Sequence, residues 1–244
     1  MSDTISLEGK QYLLFDLDRT LWDFEGNADI TFAKMYSQFA LQVLVGVDCA
    51  TFHQQYRIVN DQLWEAYRNG SITKEMLNIR RFSIPLEHFG LREGVIPLSL
   101  RLGDFYVHEG PKQKGLMPGA RHLLDYLSQK SDYSLCIITN GFSEAQIPKM
   151  HSSDIYRYFN HFFLSEEVGY MKPNPRFFLA TLERLGASPQ DCVVIGDDYN
   201  VDIVGASHAG IPTIFYNFQG RYQGPQPHKP SIEVYALSEI EHIL

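Results

Sequence analysis

The sequence predicts a doubly wound, parallel α/β sheet interrupted by one inserted helical domain, and three observations lead there. Five short apolar runs, Tyr12–Phe15, Leu135–Thr139, Phe162–Ser165, Cys192–Ile195 and Thr213–Tyr216, are continuous rather than alternating. Strands covered on both faces read this way. Helical patterns separate the runs, which is the strand–helix alternation of an open parallel sheet. The connection from Thr20 to Leu135 is several times longer than the about 30 residues of a strand–helix–strand crossover. A separate domain is expected inside it.

The first run delivers two carboxylates, Asp16 and Asp18, at its end. Alternation along an extended backbone puts both on the same side. Two acids so close repel unless a cation sits between them, so the pair suggests Mg²⁺. In the long connection, Ile30–Leu44, Phe52–Tyr67, Thr73–Phe89 and Leu98–Val107 show helical spacing of apolar residues, and Asn69-Gly70 separates the second from the third. Pro111 to Pro118, with its lysines and glycines, reads as the return linker. Residues 1–22 and 111–244 are therefore assigned to the α/β core and 23–110 to the helical insertion, which is long enough for its own small core.

Ala120–Gln129 places Leu123, Leu124 and Leu127 on one helical side. The second strand then runs into Thr139-Asn140-Gly141-Phe142-Ser143, where a small hydroxyl residue followed by Gly lets backbone N–H groups approach an anion. Ser143 and Gln146 have the spacing of a capping box, and Pro148 is expected to distort the helix that follows. After the third strand comes Tyr170-Met171-Lys172-Pro173-Asn174-Pro175, in which Pro173 and Pro175 hold Lys172 in an extended entry to a helix over Arg176–Leu185, stopped by Gly186. A lysine pinned at a strand end is a candidate fixed positive charge. The fourth strand leads into Gly196-Asp197-Asp198-Tyr199-Asn200-Val201-Asp202. A helix N-cap at Asp198 or Asn200 accounts for one of these residues only. A helix over Val201–Ala209 ends at Gly210. Asn217 to Pro230 reads as a loop in which Asn217 and Arg221 could reach a ligand, although plain surface is the simpler reading, and Ser231–Leu244 as a short edge strand with a terminal helix. Open α/β sheets bind ligands outside the carboxyl ends of their strands, so all four polar segments are expected at one edge.

Composition narrows the partners. A net charge of −8 disfavours a nucleic-acid polymer. It is compatible with a small phosphorylated metabolite, which needs only a local cationic pocket. Three cysteines make no disulfide framework, and Cys136 and Cys192 fall inside strand-like runs as reduced, buried thiols. Met1–Lys10 is polar and lacks a signal-peptide core, and no segment reaches the length of a membrane span, so a cytoplasmic place is expected. Oligomeric state is not legible.

The four segments Asp16-Leu17-Asp18-Arg19-Thr20, Thr139-Asn140-Gly141, Lys172-Pro173 and Gly196-Asp197-Asp198-x-x-x-Asp202 resemble, in order, the motifs of the haloacid dehalogenase-like (HAD) hydrolase superfamily. The helical insertion is similar to that family's cap of the first type. In Trp64-x-x-Tyr67-x-Asn69-Gly70-x-Ile72-Thr73, Ile138–Ser143 and Ser165-Glu166-Glu167-Val168-Gly169 the chain further resembles the pyrimidine 5′-nucleotidases of a house-cleaning branch. Two positions depart from the pattern: Arg19, where the family usually has Gly, Asp, Glu or His, and Asp198, where Ser or Thr is common.

The resemblance implies a Rossmann-like core and phosphomonoester hydrolysis through an aspartyl-phosphate. It assigns Asp16 as nucleophile and Asp18 as general acid and base. Thr139, Asn140, Gly141 and Lys172 would bind the phosphoryl group, with Thr139 and Lys172 also catalytic. Asp16, Asp18 (through its carbonyl) and Asp197 would hold Mg²⁺, with Asp198 and Asp202 behind them. The expected substrate is a pyrimidine nucleoside 5′-monophosphate. Trp22, Phe24, Trp64 and Tyr67 are candidates to stack a base, although packing is the commoner use of such rings. A phosphatase or phosphomutase for small sugar phosphates is the alternative. A metal-free dehalogenase is disfavoured by Asp18 and the acids around Asp197, and a receiver-type signalling domain by the place of Lys172 before that cluster.

Overall fold

A computed structural model describes residues 9–244; most of the polar N-terminal stretch, residues 1–8, lies outside the described residues. Six parallel strands form one sheet: β1 (Tyr12–Phe15), β2 (Ser134–Thr139), β3 (His161–Leu164), β4 (Cys192–Gly196), β5 (Thr213–Tyr216) and β6 (Ile232–Val234). Their spatial order is β3-β2-β1-β4-β5-β6. The chain therefore winds outward in both directions from β1, and Phe15 lies level with Ile137 on one side and Ile195 on the other. The crevice at such a reversal is where open α/β sheets bind ligands. The acids after β1 and β4 and the hydroxyl ending β2 all reach it.

The pleat explains the continuous apolar runs. Leu13, Phe15, Ile137, Val193 and Ile195 point into one hydrophobic layer, and Leu14, Cys136, Ile138, Cys192 and Val194 into the opposite one. No helix among the described residues is long and apolar enough to cross a membrane.

The chain divides into two compact units, one ending at Phe24 and resuming at Lys114, the other Glu25–Gln113. The insertion holds five helices: α1 (Phe24–Phe39), α2 (Leu41–Val45), α3 (Cys49–Arg68), α4 (Lys74–His88) and α5 (Val95–Glu109). Asp48 caps α3 by accepting from Thr51 N, and Thr73 caps α4 by accepting from Met76 N. Phe32, Phe52, Tyr56 and Phe82 centre its own aromatic core, with Phe32 stacked on His53 at 4.0 Å. One expected helix, Ile30–Leu44, is two, because Ala40 turns left-handed at φ 49° between α1 and α2. The departing and returning segments of the chain pair within the core unit, with Asp23 N donating to Gly115 O (3.1 Å) and Met117 N to Leu21 O (2.9 Å).

The core helices are α6 (Ala120–Ser128), α7 (Ser143–Ser152), α8 (Ser165–Val168), α9 (Pro175–Leu185) and α10 (Val204–His208). Four expectations need correction. Ser165 leaves the third strand and opens α8. The helix over Val201–Ala209 begins as a wide π turn, Tyr199–Ile203, before α10. The terminal helix is a 3-10 segment, Leu237–His242. Ser143 and Gln146 form no capping box: Phe142 is the N-cap residue, and Ser143 N donates to Glu166 Oε2 at 3.0 Å. The helix α7 continues through Pro148, although that residue has no N–H to give the carbonyl of Glu144.

Asn217 is not a ligand-facing surface group. It is buried and ties its loop shut, donating to Tyr222 O (3.1 Å) and Glu233 Oε1 (2.7 Å) and accepting from Tyr222 N (2.8 Å). Arg221 lies over the Phe218 ring at 4.6 Å.

α10 packs closely against Pro173, the residue after Lys172. A Cβ on Gly205 would come within 2.8 Å of Pro173 Cα and 2.7 Å of Phe178 Cε2, so only glycine lets α10 approach so closely. Gly205→Ala is expected to lower stability by about 1–3 kcal/mol through overpacking. A urea-unfolding midpoint equal to that of the parent would show that this contact relaxes freely.

Candidate active site

The sheet edge gathers its charges around one buried ammonium. Lys172 Nζ donates to Asp16 Oδ1 (2.7 Å), to Asp202 Oδ1 (2.7 Å) and to the carbonyl of Ile138 (2.9 Å). All three donor hydrogens are used, and the residue is 1% exposed. Its backbone is braced by Asn140, whose Oδ1 accepts from Lys172 N at 2.8 Å and whose Nδ2 donates to Lys172 O at 2.7 Å. The Asn140 side chain thus holds the lysine segment, and any contact from this position to an anion falls to its backbone N–H.

Thr20, which sequence reasoning gave no role, links the first and last acidic segments. It is fully buried, accepts from Asp197 N (3.1 Å), and places its hydroxyl 3.1 Å from Asp16 Oδ2 and 3.3 Å from Asp197 Oδ1. The turn that brings it inward is closed by Leu21 N and Trp22 N, both donating to Leu17 O. Within it Arg19 has φ 67°, left-handed backbone for a side chain whose guanidinium lies 4.4 Å over the Phe24 ring. Of the residue types the resembled pattern usually has here, Gly, Asp, Glu or His, glycine adopts this backbone most readily.

Acids outnumber the cation here. Ligand oxygens of Asp16, Asp197 and Asp202 lie within 4.8 Å of one another. Burial raises the Asp16 carboxyl, against the pull of Lys172. Burial also raises Asp197 well above the usual carboxylate range, and the charges of Asp16 and Asp202 add to the effect. Asp202 is pushed up to about 7 by burial, partly countered by Lys172. Burial works against the Lys172 ammonium too, but Asp16 and Asp202 outweigh it and hold it protonated. A cluster of hard oxygens with excess negative charge fits a divalent cation such as Mg²⁺. Both Asp202 oxygens have partners, Lys172 Nζ and Asp198 N (3.2 Å), and both Asp16 oxygens do too, Lys172 Nζ and the Thr20 hydroxyl; Asp197 meets the Thr20 hydroxyl at one oxygen, at 3.3 Å, and is the least engaged of the three toward a metal. The Asp198 carboxylate turns away to cap the next turn, accepting from Asn200 N and Val201 N at 3.0 Å each.

Asp18 has a different environment. Lys149 Nζ meets both of its oxygens, at 2.7 and 2.9 Å, and Gln146 Nε2 donates to Oδ2 at 2.8 Å. The same amide donates to Thr139 Oγ1 at 2.8 Å, which also accepts from Gly141 N at 3.0 Å. With its lone pairs filled, the Thr139 hydroxyl has its proton left to give. A Cβ on Gly141 would fall 1.8 Å from Gln146 Nε2, so glycine is needed for that amide to lie here. Gln146 and Lys149 were missed because the S-x-x-Q spacing mimics a capping box; their spacing on one face of α7 was the available signal. Trp22 is buried beneath Lys149, at 4.4 Å from ring centre to Nζ, which makes it a packing residue rather than a stacking platform for a base. In the insertion, Trp64 and Tyr67 are half-buried and meet edge to face at 5.8 Å.

Removing one partner of a buried ion pair leaves the other uncompensated. Lys172→Met is expected to destabilise the fold by about 3–5 kcal/mol. Urea denaturation measures it, and an unchanged midpoint would mean that the three acids shed their charge without loss.

Residues 11–210 match the haloacid dehalogenase-like hydrolase family. The chain is 31% identical over 231 residues to pyrimidine 5′-nucleotidase PynA of Streptococcus pneumoniae, covering 94% of this chain and 93% of that protein. It is 30% identical over 234 residues to pyrimidine 5′-nucleotidase YjjG of Escherichia coli, covering 96% and 97%. The structure of the HAD-family protein YfnB of Bacillus subtilis, bound to magnesium, is similar with a TM-score of 0.84 at 28% identity, over 96% of this chain and 98% of that one. With its acids, hydroxyl and lysine converging at the switch point of a parallel sheet, and with that match spanning most of its length, the chain belongs to the haloacid dehalogenase-like hydrolase family.

Proposed function

We propose that this protein is a Mg²⁺-dependent phosphomonoester hydrolase that forms an aspartyl-phosphate on Asp16 and acts on pyrimidine nucleoside 5′-monophosphates. The observation that carries the chemistry is the 2.7 Å contact of Lys172 with Asp16, set among two further acids and beside a separately held Asp18. Similarity to two pyrimidine 5′-nucleotidases along nearly their whole lengths supports the substrate class. The buried, unpaired thiols of Cys136 and Cys192 suit a reducing compartment such as the cytoplasm.

In the first half-reaction an Asp16 oxygen bonds to phosphorus while the ester P–O bond breaks, and Asp18 gives its proton to the departing oxygen. In the second, water attacks phosphorus, Asp18 accepts a water proton, and Asp16 leaves as a carboxylate. Lys172, the Thr139 hydroxyl and the backbone N–H groups of Asn140 and Gly141 hold the transferring oxygens. Asp202 keeps Lys172 oriented. Asp16, the main-chain carbonyl of Asp18 and Asp197 would hold Mg²⁺, which when bound supplies positive charge against the phosphoryl oxygens.

A substrate panel of dUMP, dTMP, UMP, purine nucleotides and sugar phosphates, run with and without Mg²⁺, tests the assignment. The pyrimidine nucleotides are expected to be turned over fastest, and Asp16→Asn to lower turnover by about three orders of magnitude or more with the fold retained. A clear preference for sugar phosphates overturns the substrate class, and near-normal activity of Asp16→Asn overturns the nucleophile.

The raised carboxyl groups make a second expectation. A carboxyl whose folded pKa lies above its unfolded value adds stability at low pH and loses it as pH climbs through the folded value. Asp202, raised from 3.8 to about 7, and Asp197, raised well above 3.8, should therefore weaken the metal-free fold across that interval. Mg²⁺ needs the ionised forms, so its thermal stabilisation should be larger at pH 8 than at pH 5.5. Thermal unfolding with Mg²⁺ or with EDTA at the two pH values measures this, and an equal or smaller gain at pH 8 contradicts it.

A further inference from the structure

Lys149 and Gln146 are not among the groups proposed to hold or transfer the phosphoryl group, yet both are buried and both end at Asp18. They lie one turn apart on α7, which sets their side chains on the same face. Lys149 grips both Asp18 oxygens, and its ammonium is seated over the Trp22 ring at 4.4 Å and the Phe24 ring at 5.6 Å. Gln146 joins the same carboxylate to Thr139 through one amide nitrogen.

The Asp18 side chain is 23% exposed, so burial alone does not fix its rotation. A two-point contact from a seated ammonium does. The Gln146 bridge further ties its position to the hydroxyl proposed to hold the phosphoryl group.

We infer that Lys149 and Gln146 are positioning residues that aim the Asp18 carboxyl at the ester oxygen. The inference rests on the reading of Asp18 as general acid and base. The step they serve balances simply. As the ester P–O bond breaks, its electron pair stays on the departing oxygen, which takes the Asp18 proton and leaves as an alcohol. In the return half-reaction the Asp18 carboxylate takes a proton from water as the water oxygen bonds to phosphorus and the P–O pair returns to Asp16. A ribose or other alkyl oxygen is a poor leaving group and needs that proton. The p-nitrophenolate oxygen departs well without it. Loss of aim therefore slows alkyl esters selectively, whereas general damage to the site slows both alike.

The test measures kcat and KM of the full-length protein with Mg²⁺ on p-nitrophenyl phosphate and on the alkyl phosphate turned over fastest in the panel. Lys149→Met is expected to lower kcat on the alkyl ester about 10- to 100-fold with little change in KM, and to raise the aryl-to-alkyl kcat ratio about tenfold. Gln146→Met should shift the ratio the same way by a smaller factor, and Lys149→Arg should restore most of it. Equal losses on both esters, or an unchanged ratio in Lys149→Met and Gln146→Met alike, overturn the inference; should Lys149→Met fail to fold, Gln146→Met and Lys149→Arg decide it. Asp18→Asn separates the two levels. If it raises the ratio while the α7 variants do not, only the positioning role is lost. If Asp18→Asn leaves the ratio unchanged, the acid–base reading falls and this inference with it.

Discussion

A lysine ammonium with almost no access to water is tolerable only if carboxylates surround it, and Lys172 imposes that demand on the whole sheet edge. Its two ion-pair partners come from segments following different strands, Asp16 after β1 and Asp202 after β4, and a backbone carbonyl of β2 completes its shell. The strand order puts β1 between β2 and β4, so these three groups meet without distorting any one segment. Satisfying the lysine in turn concentrates acids beyond what it neutralises. The excess falls on Asp197, whose carboxyl is raised well above its ordinary range by burial, with the charges of Asp16 and Asp202 adding to the effect.

The two acids of the first motif show how the same residue type is given two tasks. Asp16 and Asp18 leave β1 two residues apart, yet each meets its own cation, Lys172 for one and Lys149 for the other. Asp16 is buried with a hydroxyl and an ammonium against its two oxygens, while Asp18 keeps partial contact with water and takes its donors from α7. Such divergent surroundings are how paired carboxyls come to serve as nucleophile and as proton carrier.

Much of this was legible in the chain because the relevant signals are local. Continuous apolar runs marked the strands since both sheet faces are covered, and each run ended in the polar residues that its carboxyl end presents. The length of the connection after β1 exposed the insertion, and periodicity located its helices except at Ala40, where a left-handed alanine breaks a pattern that hydrophobic spacing carries straight through. What stayed hidden is what depends on folding. Thr20 looks like an ordinary turn residue until the turn carries it against Asp197. Gln146 sits at a spacing that serves a helix cap in isolation, and only the approach of α7 to β1 turns it toward Asp18. Asn217 likewise reads as loop until Glu233 of the edge strand comes beside it.

The wide turn at Tyr199–Ile203 carries Asp202 within it. A π turn holds one residue more than an α turn spanning the same rise. Asp198 caps its start, and Asp202 N donates to Asp198 O at 2.8 Å as the chain goes round. Were these same residues wound as an ordinary α-helix, at about 100° per residue, Asp202 would stand at a different angle around the axis. The carboxylate that now steadies the ammonium would face elsewhere, although every residue type of the motif survived. The register of this single irregular coil, more than the count of its acids, therefore separates an assembled centre from a mere scatter of charges.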